Sequence, residues 1–179
     1  MEVNEFVIQA QLGNNTAFEE LYNNFSKKIF FYIRKKIQNY EEAEDVLQEV
    51  FIKSYQGLNS LRPGDINFSA WLYKIASNTI NDHFRKRYRS PEVVSIDENF
   101  DLPDKHSLFK EILVRSDLES AKENLKLLPP LHKDVLELRF FQELSVNEVA
   151  KVLHRSNLSV RMIQYRARKN LNSMLQKVY

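Results

Sequence analysis

Three glycines and no cysteine in 179 residues set the first limits. Glycine makes up about 7% of an average chain, and here its share is under 2%. Glycine-rich phosphate loops, dinucleotide-binding turns and tight β-hairpins all need that residue, so the composition argues against them. It favours helices joined by short turns. Without cysteine there are no disulfides, no cysteine-ligated zinc and no thiol catalysis. Long apolar runs are also missing. The longest, Ile29 to Ile33, falls far short of the roughly 20 residues that a membrane span needs. Glu2 and Glu5 stand where a secretion signal would be basic and then apolar, so the chain is expected to be cytoplasmic, without membrane insertion.

What is present is charge, unevenly placed. The net charge is only +2, from 26 basic and 24 acidic residues. Residues 1–90 hold 12 basic and 11 acidic residues. Residues 91–106 hold Glu92, Asp97, Glu98, Asp101 and Asp104 against Lys105 alone, for −4. Residues 107–179 hold 13 basic and 8 acidic, for +5, and from 154 onward there are six basic residues and no acidic one. A basic C-terminus of this kind suits a polyanion.

Helical periodicity dominates the remainder. Phe18, Leu21, Tyr22, Phe25, Ile29, Tyr32, Ile33 and Ile37 step by three or four, which predicts a long helix starting at a Thr16/Glu19 capping box. A second helix is predicted from about Glu41 to Tyr55, with Ala43, Val46, Leu47, Val50, Phe51 and Ser54 inward. Residues 57–67 contain two of the three glycines and Pro63, and so predict a loop. A third helix carries Phe68, Trp71, Leu72, Ile75, Ala76, Thr79 and Ile80 on one face. Pro91 halts it, and 91–106 is expected to be an acidic linker. A short helix over 118–128 precedes Pro129-Pro130, where Pro130 can open the next helix. That helix buries Leu131, Val135, Leu138 and either Phe140 or Phe141. Residues 107–116 either begin a helix or end the linker. Ser145 and Glu148 form a second capping box, and the last helix buries Val160, Ile163, Ala167, Leu171 and Met174. The expected fold is all-α, with two helical domains at 1–90 and 107–179.

Three constellations carry function. Ala150, His154 and Val160 occupy the crossing, turn and locking positions of a helix-turn-helix, although glycine is preferred at the turn. The second helix of such a pair enters the DNA major groove by its N-terminal half. Asn157, Ser159, Arg161, Met162 and Tyr165 are then candidate base readers, and Arg155, Arg166, Arg168 and Lys169 candidate phosphate contacts. The alternative is an ordinary helical hairpin with a solvated basic face. The third helix interleaves Phe68, Trp71, Tyr73, Phe84 and Tyr88 with Lys74, Arg85, Lys86, Arg87 and Arg89. Aromatics stack unpaired bases at roughly 1–3 kcal/mol each, so this pattern suits melted DNA, with the 57–67 loop as a pocket for an extruded base. Phe68 and Trp71 also fit plain core. Finally, Glu41, Glu42, Glu44, Asp45, Gln48 and Glu49 are expected on the exposed side of the second helix. The like-charged pairs Glu41/Asp45 and Asp45/Glu49 repel at i,i+4, which a basic protein partner would relieve. Helix-dipole stabilisation, a solvated face and a metal-nuclease cluster are the other readings.

The stretch Ala43 to Lys53, the stretch Phe68 to Asn78 and the run Asp82-His83-Phe84-Arg85-Lys86-Arg87 resemble the sigma-70 type of RNA polymerase sigma factors. Leu128-Pro129-Pro130, Leu144-Ser145 through Ala150, and Val160-Arg161 through Ala167-Arg168 resemble that family's fourth domain. With only these two domains, the chain is similar to the extracytoplasmic function (ECF) group. The resemblance implies promoter-specific initiation, with no catalytic residue, cofactor or metal of its own. Its partners would be core RNA polymerase (β′ coiled coil and β subunit), promoter DNA and an anti-sigma factor. Asp45, Gln48, Glu49 and Ile52 would dock on the β′ coiled coil. Asn59, Ser60 and Asn67 would form the pocket for a flipped −10 base. Trp71, Lys74, Asn78, Asp82, Arg85, Lys86 and Arg87 would lie along the −10 DNA. The last helix would read the −35 element, and the acidic linker would thread the RNA path. His154 stands where glycine is usual in the family, and Leu158 where a small residue is usual. The rival readings are a polymerase-independent helix-turn-helix regulator and a carboxylate-dependent nuclease or integrase.

Overall fold

In a computed structural model, the chain divides into two units, Met1–Val93 and Val94–Tyr179. The structure describes residues 2–61, 67–87 and 127–175. The acidic segment 91–106, residues 107–116 and most of the helix expected over 118–128 lie outside the described residues. Among the described residues there is no strand.

The first unit opens with α1 (Val3–Gln11), a helix absent from the expectations above. Gly13, at φ +89°, ends the turn behind it. Helix α2 (Asn15–Arg34) is capped two residues earlier than expected, because the Asn14 side chain, and not Thr16, accepts the Ala17 N–H. Ile37 is buried but lies past the helix end. Helix α3 (Tyr40–Gly57) is capped by Asn39 and runs into a 3₁₀ turn, Leu58–Ser60. The front of the expected 57–67 loop is therefore helical. Helix α4 spans Phe68–Arg87.

The core is the meeting of the predicted stripes. Leu21, Ile29, Ile33, Ala43, Val50, Leu72 and Ala76 are all sealed from solvent. Aromatic edges fasten α2 to its neighbours: Phe18 on Tyr55 (4.9 Å) and Tyr22 on Phe51 (4.7 Å) toward α3, Phe25 on Phe68 (5.3 Å) and Tyr32 on Tyr73 (5.3 Å) toward α4. Each such pair adds about 0.5–1.5 kcal/mol beyond its burial. The Tyr73 hydroxyl is buried without a hydrogen-bond partner among the described residues, and its pKa is pushed well up by desolvation. Tyr73→Phe is therefore expected to keep the ring contact and raise stability by up to about 1 kcal/mol, read as a higher melting temperature.

The second unit contains α5 (Pro130–Leu136), which begins at its proline as expected and continues into a π-helical turn, Glu137–Phe141. Leu138, Arg139 and Phe140 are buried there, while Phe141 is exposed, which settles the choice between the two phenylalanines. Helix α6 (Val146–Leu153) has its capping box: Glu148 N–H donates to Ser145 Oγ at 3.2 Å, and Ser145 N–H donates to Glu148 Oε2 at 2.7 Å. Helix α7 (Asn157–Leu175) buries Val160, Ala167 and Leu171, with Ile163 half-buried.

Candidate nucleic-acid and protein interfaces

The helix-turn-helix forms with the expected parts. Ala150 and Val160 are buried at the crossing of α6 and α7. His154 takes the left-handed conformation, φ 53° and ψ 49°, in which the Arg155 N–H reaches back to the Ala150 carbonyl at 2.9 Å. This is the closure that glycine usually supplies. Of the proposed base readers, Asn157 and Tyr165 are exposed, and Ser159, Arg161 and Met162 are half-buried. Arg155, Arg166 and Lys169 are exposed, whereas Arg168 is half-buried. Burial, with the Arg166 charge adding to it, lowers the pKa of His132 on α5.

One residue behind this face was not singled out from sequence. Arg139, almost fully buried in the π turn, donates from Nε to Gln164 Oε1 on α7 (3.2 Å) and from Nη1 to the Leu144 carbonyl ahead of α6. It ties both helices of the motif to α5. This contact gives the buried polar Gln164 a hydrogen-bond partner.

In the first unit the acidic residues of α3 separate into two groups. Glu41, Glu44, Asp45 and Gln48 are exposed, as predicted. Glu42 instead turns inward to His83 Nε2 on α4 at 3.2 Å, and Glu49 pairs with Lys53 at 2.7 Å. Ile52 is 57% exposed, and Tyr55 is exposed beside it. Glu41, Asp45, Gln48, Ile52 and Tyr55 step by three or four, so they form one outward stripe with an apolar end. The stripe thus joins exposed acidic and polar side chains to an exposed large aliphatic one.

On α4, Lys74, Asn78, Arg85 and Lys86 are exposed along the helix, and Arg87 is its last residue. Asp82 ion-pairs with Arg85 and lies 3.9 Å from Lys53 Nζ, so its carboxylate orients cations. Asn59 and Ser60 are exposed in the 3₁₀ turn, where the Ser60 hydroxyl donates to the Gly57 carbonyl (2.6 Å). Asn67 Oδ1 accepts from the Ser69 and Ala70 N–H groups (3.0 and 3.4 Å), which caps α4. Trp71 packs on Phe68 with centroids at 5.7 Å, as the core reading expects, and part of the ring stays exposed. A Cβ on Gly57 would sit 3.3 Å from the Trp71 ring, tighter than an ordinary van der Waals contact. Residues 62–66, between these two ends, lie outside the described residues.

No described helix is long and apolar enough to cross a membrane. Among the described residues, no group of three or more histidine or carboxylate side chains is arranged to hold a metal ion.

Comparison with known proteins matches the chain to "Sigma-70 region 2" over residues 21–90 and to "Sigma-70, region 4" over residues 125–172. It is 34% identical to the RNA polymerase sigma-H factor of Pseudomonas aeruginosa, across 96% of this chain and 93% of that one. It is 31% identical to the RNA polymerase sigma factor YlaC of Bacillus subtilis, across 93% and 96%, and 29% identical to the ECF RNA polymerase sigma factor SigW of the same species, across 98% of each. Among solved structures, CnrH in complex with the cytosolic domain of CnrY shares the fold, with a TM-score of 0.60 at 24% identity over 97% of each chain. So does RpoE of Bartonella quintana in complex with the anti-sigma factor NepR, with a TM-score of 0.58 at 21% identity over 89% of this chain and 96% of that one.

Proposed function

We propose a division of labour for this chain, which belongs to the sigma-70 family of RNA polymerase sigma factors and to its ECF group. The first unit docks on the β′ coiled coil of core polymerase through the α3 stripe of Asp45, Gln48 and Ile52, with Glu49 at its edge. The same unit melts the −10 element. Trp71, Lys74, Asn78, Arg85, Lys86 and Arg87 follow the strand, while Asp82 holds Arg85 in place. Asn59 and Ser60 meet the flipped base, and Asn67 fixes the far end of the same loop. The second unit reads the −35 duplex with α7. Binding energy drives melting, and the chemistry is the polymerase's, so no catalytic group, cofactor or metal is assigned here. The protein acts in the cytoplasm, and a further partner is an anti-sigma factor, as in the NepR complex of the structural relative.

One observation supports this most: the two sigma regions occur in order, one in each of the two units. A helix-turn-helix regulator that works without polymerase would leave the exposed Ile52 and its acidic stripe without a partner. The direct test is transcription by purified core polymerase, with and without the chain, on a genomic fragment library. Enrichment of one promoter class is expected, and unchanged initiation would overturn the reading. Within the second unit, Arg161→Ala is expected to weaken one −35 base preference by about 1–3 kcal/mol. A uniform loss over all sequences would reassign Arg161 to the phosphate backbone.

A further inference from the structure

Helix α1 reaches the 3₁₀ turn through a single side chain. Half-buried Gln11, the last residue of α1, donates from Nε2 to the Leu58 carbonyl and to the Leu61 carbonyl, both at 2.8 Å. Leu58 O also accepts the Leu61 N–H at 3.1 Å, so the amide closes over the turn from outside it. These two carbonyls bracket Asn59 and Ser60. A 3₁₀ turn of three residues has too few internal bonds to hold one geometry. Here the geometry is fixed from three sides: by Gln11 from α1, by the Ser60–Gly57 bond within the turn, and by Trp71 of α4 against Gly57. Leu58 and Leu61 are buried beneath it.

We propose that Gln11 is a positioning residue for −10 recognition, holding Asn59 and Ser60 in the conformation that accepts an extruded base. It touches no DNA itself. The proposal rests on the reading of this turn as the −10 pocket. An amide with two donors aimed at two carbonyls is the one polar link from α1 to the turn among the described residues. A side chain of equal length without donors would release both acceptors.

The test uses the full chain bound to core polymerase, on the promoter class that the library assay enriches, with each −10 base varied in turn. Open-complex formation is read by permanganate reactivity. Gln11→Met, which keeps length but loses the donors, is expected to reduce the preference for one −10 base about ten-fold. Preference at −35 and affinity for core polymerase stay at their original values. Gln11→Lys, which keeps N–H donors, is expected to restore the −10 preference. If Gln11→Met keeps that preference, or lowers the −10, −35 and core terms together, Gln11 has no positioning role. Asn59→Ala and Ser60→Ala separate the two claims. If they leave every −10 preference intact, the pocket reading itself fails and takes the proposal with it. If they alter it while Gln11→Met does not, the proposal alone fails.

Discussion

Asp45→Arg is expected to cost about 2–4 kcal/mol of affinity for core RNA polymerase, roughly thirty- to nine-hundred-fold, while making the free protein slightly more stable. The two effects have opposite signs for one reason. Asp45 is exposed on α3, one turn from Glu41 and one turn from Glu49. In the free chain those carboxylates repel. An arginine at 45 turns both repulsions into i,i+4 attractions, each of about 0.3–0.5 kcal/mol. In the docking proposed above, the same arginine would set a cation against a basic partner surface. A fluorescence-anisotropy titration with core polymerase, paired with thermal unfolding, checks both signs. Undiminished affinity would remove Asp45 from the interface. Glu49→Arg is a less clean variant, because Glu49 holds Lys53, and Lys53 also donates to Thr79 Oγ1 at 3.3 Å. Its loss would disturb the α3–α4 contact as well as docking.

The second large effect is structural and confined to the second unit. Arg139→Met is expected to lower that unit's stability by about 3 kcal/mol, and −35 binding with it. The substitution leaves the Leu144 carbonyl and the Gln164 amide oxygen without the guanidinium that satisfies them, and a buried acceptor in that state costs about 1–3 kcal/mol. A helical unit of this size has only several kcal/mol in total. The single tryptophan gives a clean assay. Trp71 lies in the first unit, so its fluorescence reports that unit alone, whereas far-ultraviolet circular dichroism reports both. Denaturation of the variant is expected to show a circular-dichroism transition moved to lower urea and a fluorescence transition left in place. Coincident, unmoved curves would show that Arg139 is dispensable.

Much of this architecture can be predicted from local spacing, and what cannot is non-local. The stripes on α2, α3 and α4 point to their core faces because apolar side chains recur every three or four residues, whatever they later meet. The Ser145 capping box and Pro130 are equally local. Helix α1 has a local signal as well, since Val3, Phe6, Val7 and Ala10 share that spacing, but it is only nine residues long. The start of α2 was a contest between two polar residues, and Asn14 prevails because Gly13 beside it already turns the chain. Gln11 reaches a turn 47 and 50 residues away, Glu42 meets a histidine 41 residues away, and Arg139 meets Gln164 at a separation of 25. No window of sequence contains such pairs. Arg139 shares the stretch Val135–Phe141 with Glu137, so the sequence does not mark which of the two charges is buried, nor its partners.

Helix α6 stands between two residues with side chains in the left-handed region, Glu143 at φ 54° and His154 at φ 53°. Each such residue costs roughly 1–2 kcal/mol that a glycine would not. The shortage of glycine is thus a matter of evolutionary headroom. Glycine at either position would remove that backbone cost by a replacement outside α7. A DNA-reading helix changes its sequence preference through replacements that usually destabilise. In this chain, two compensating changes stand ready outside the helix that has to vary.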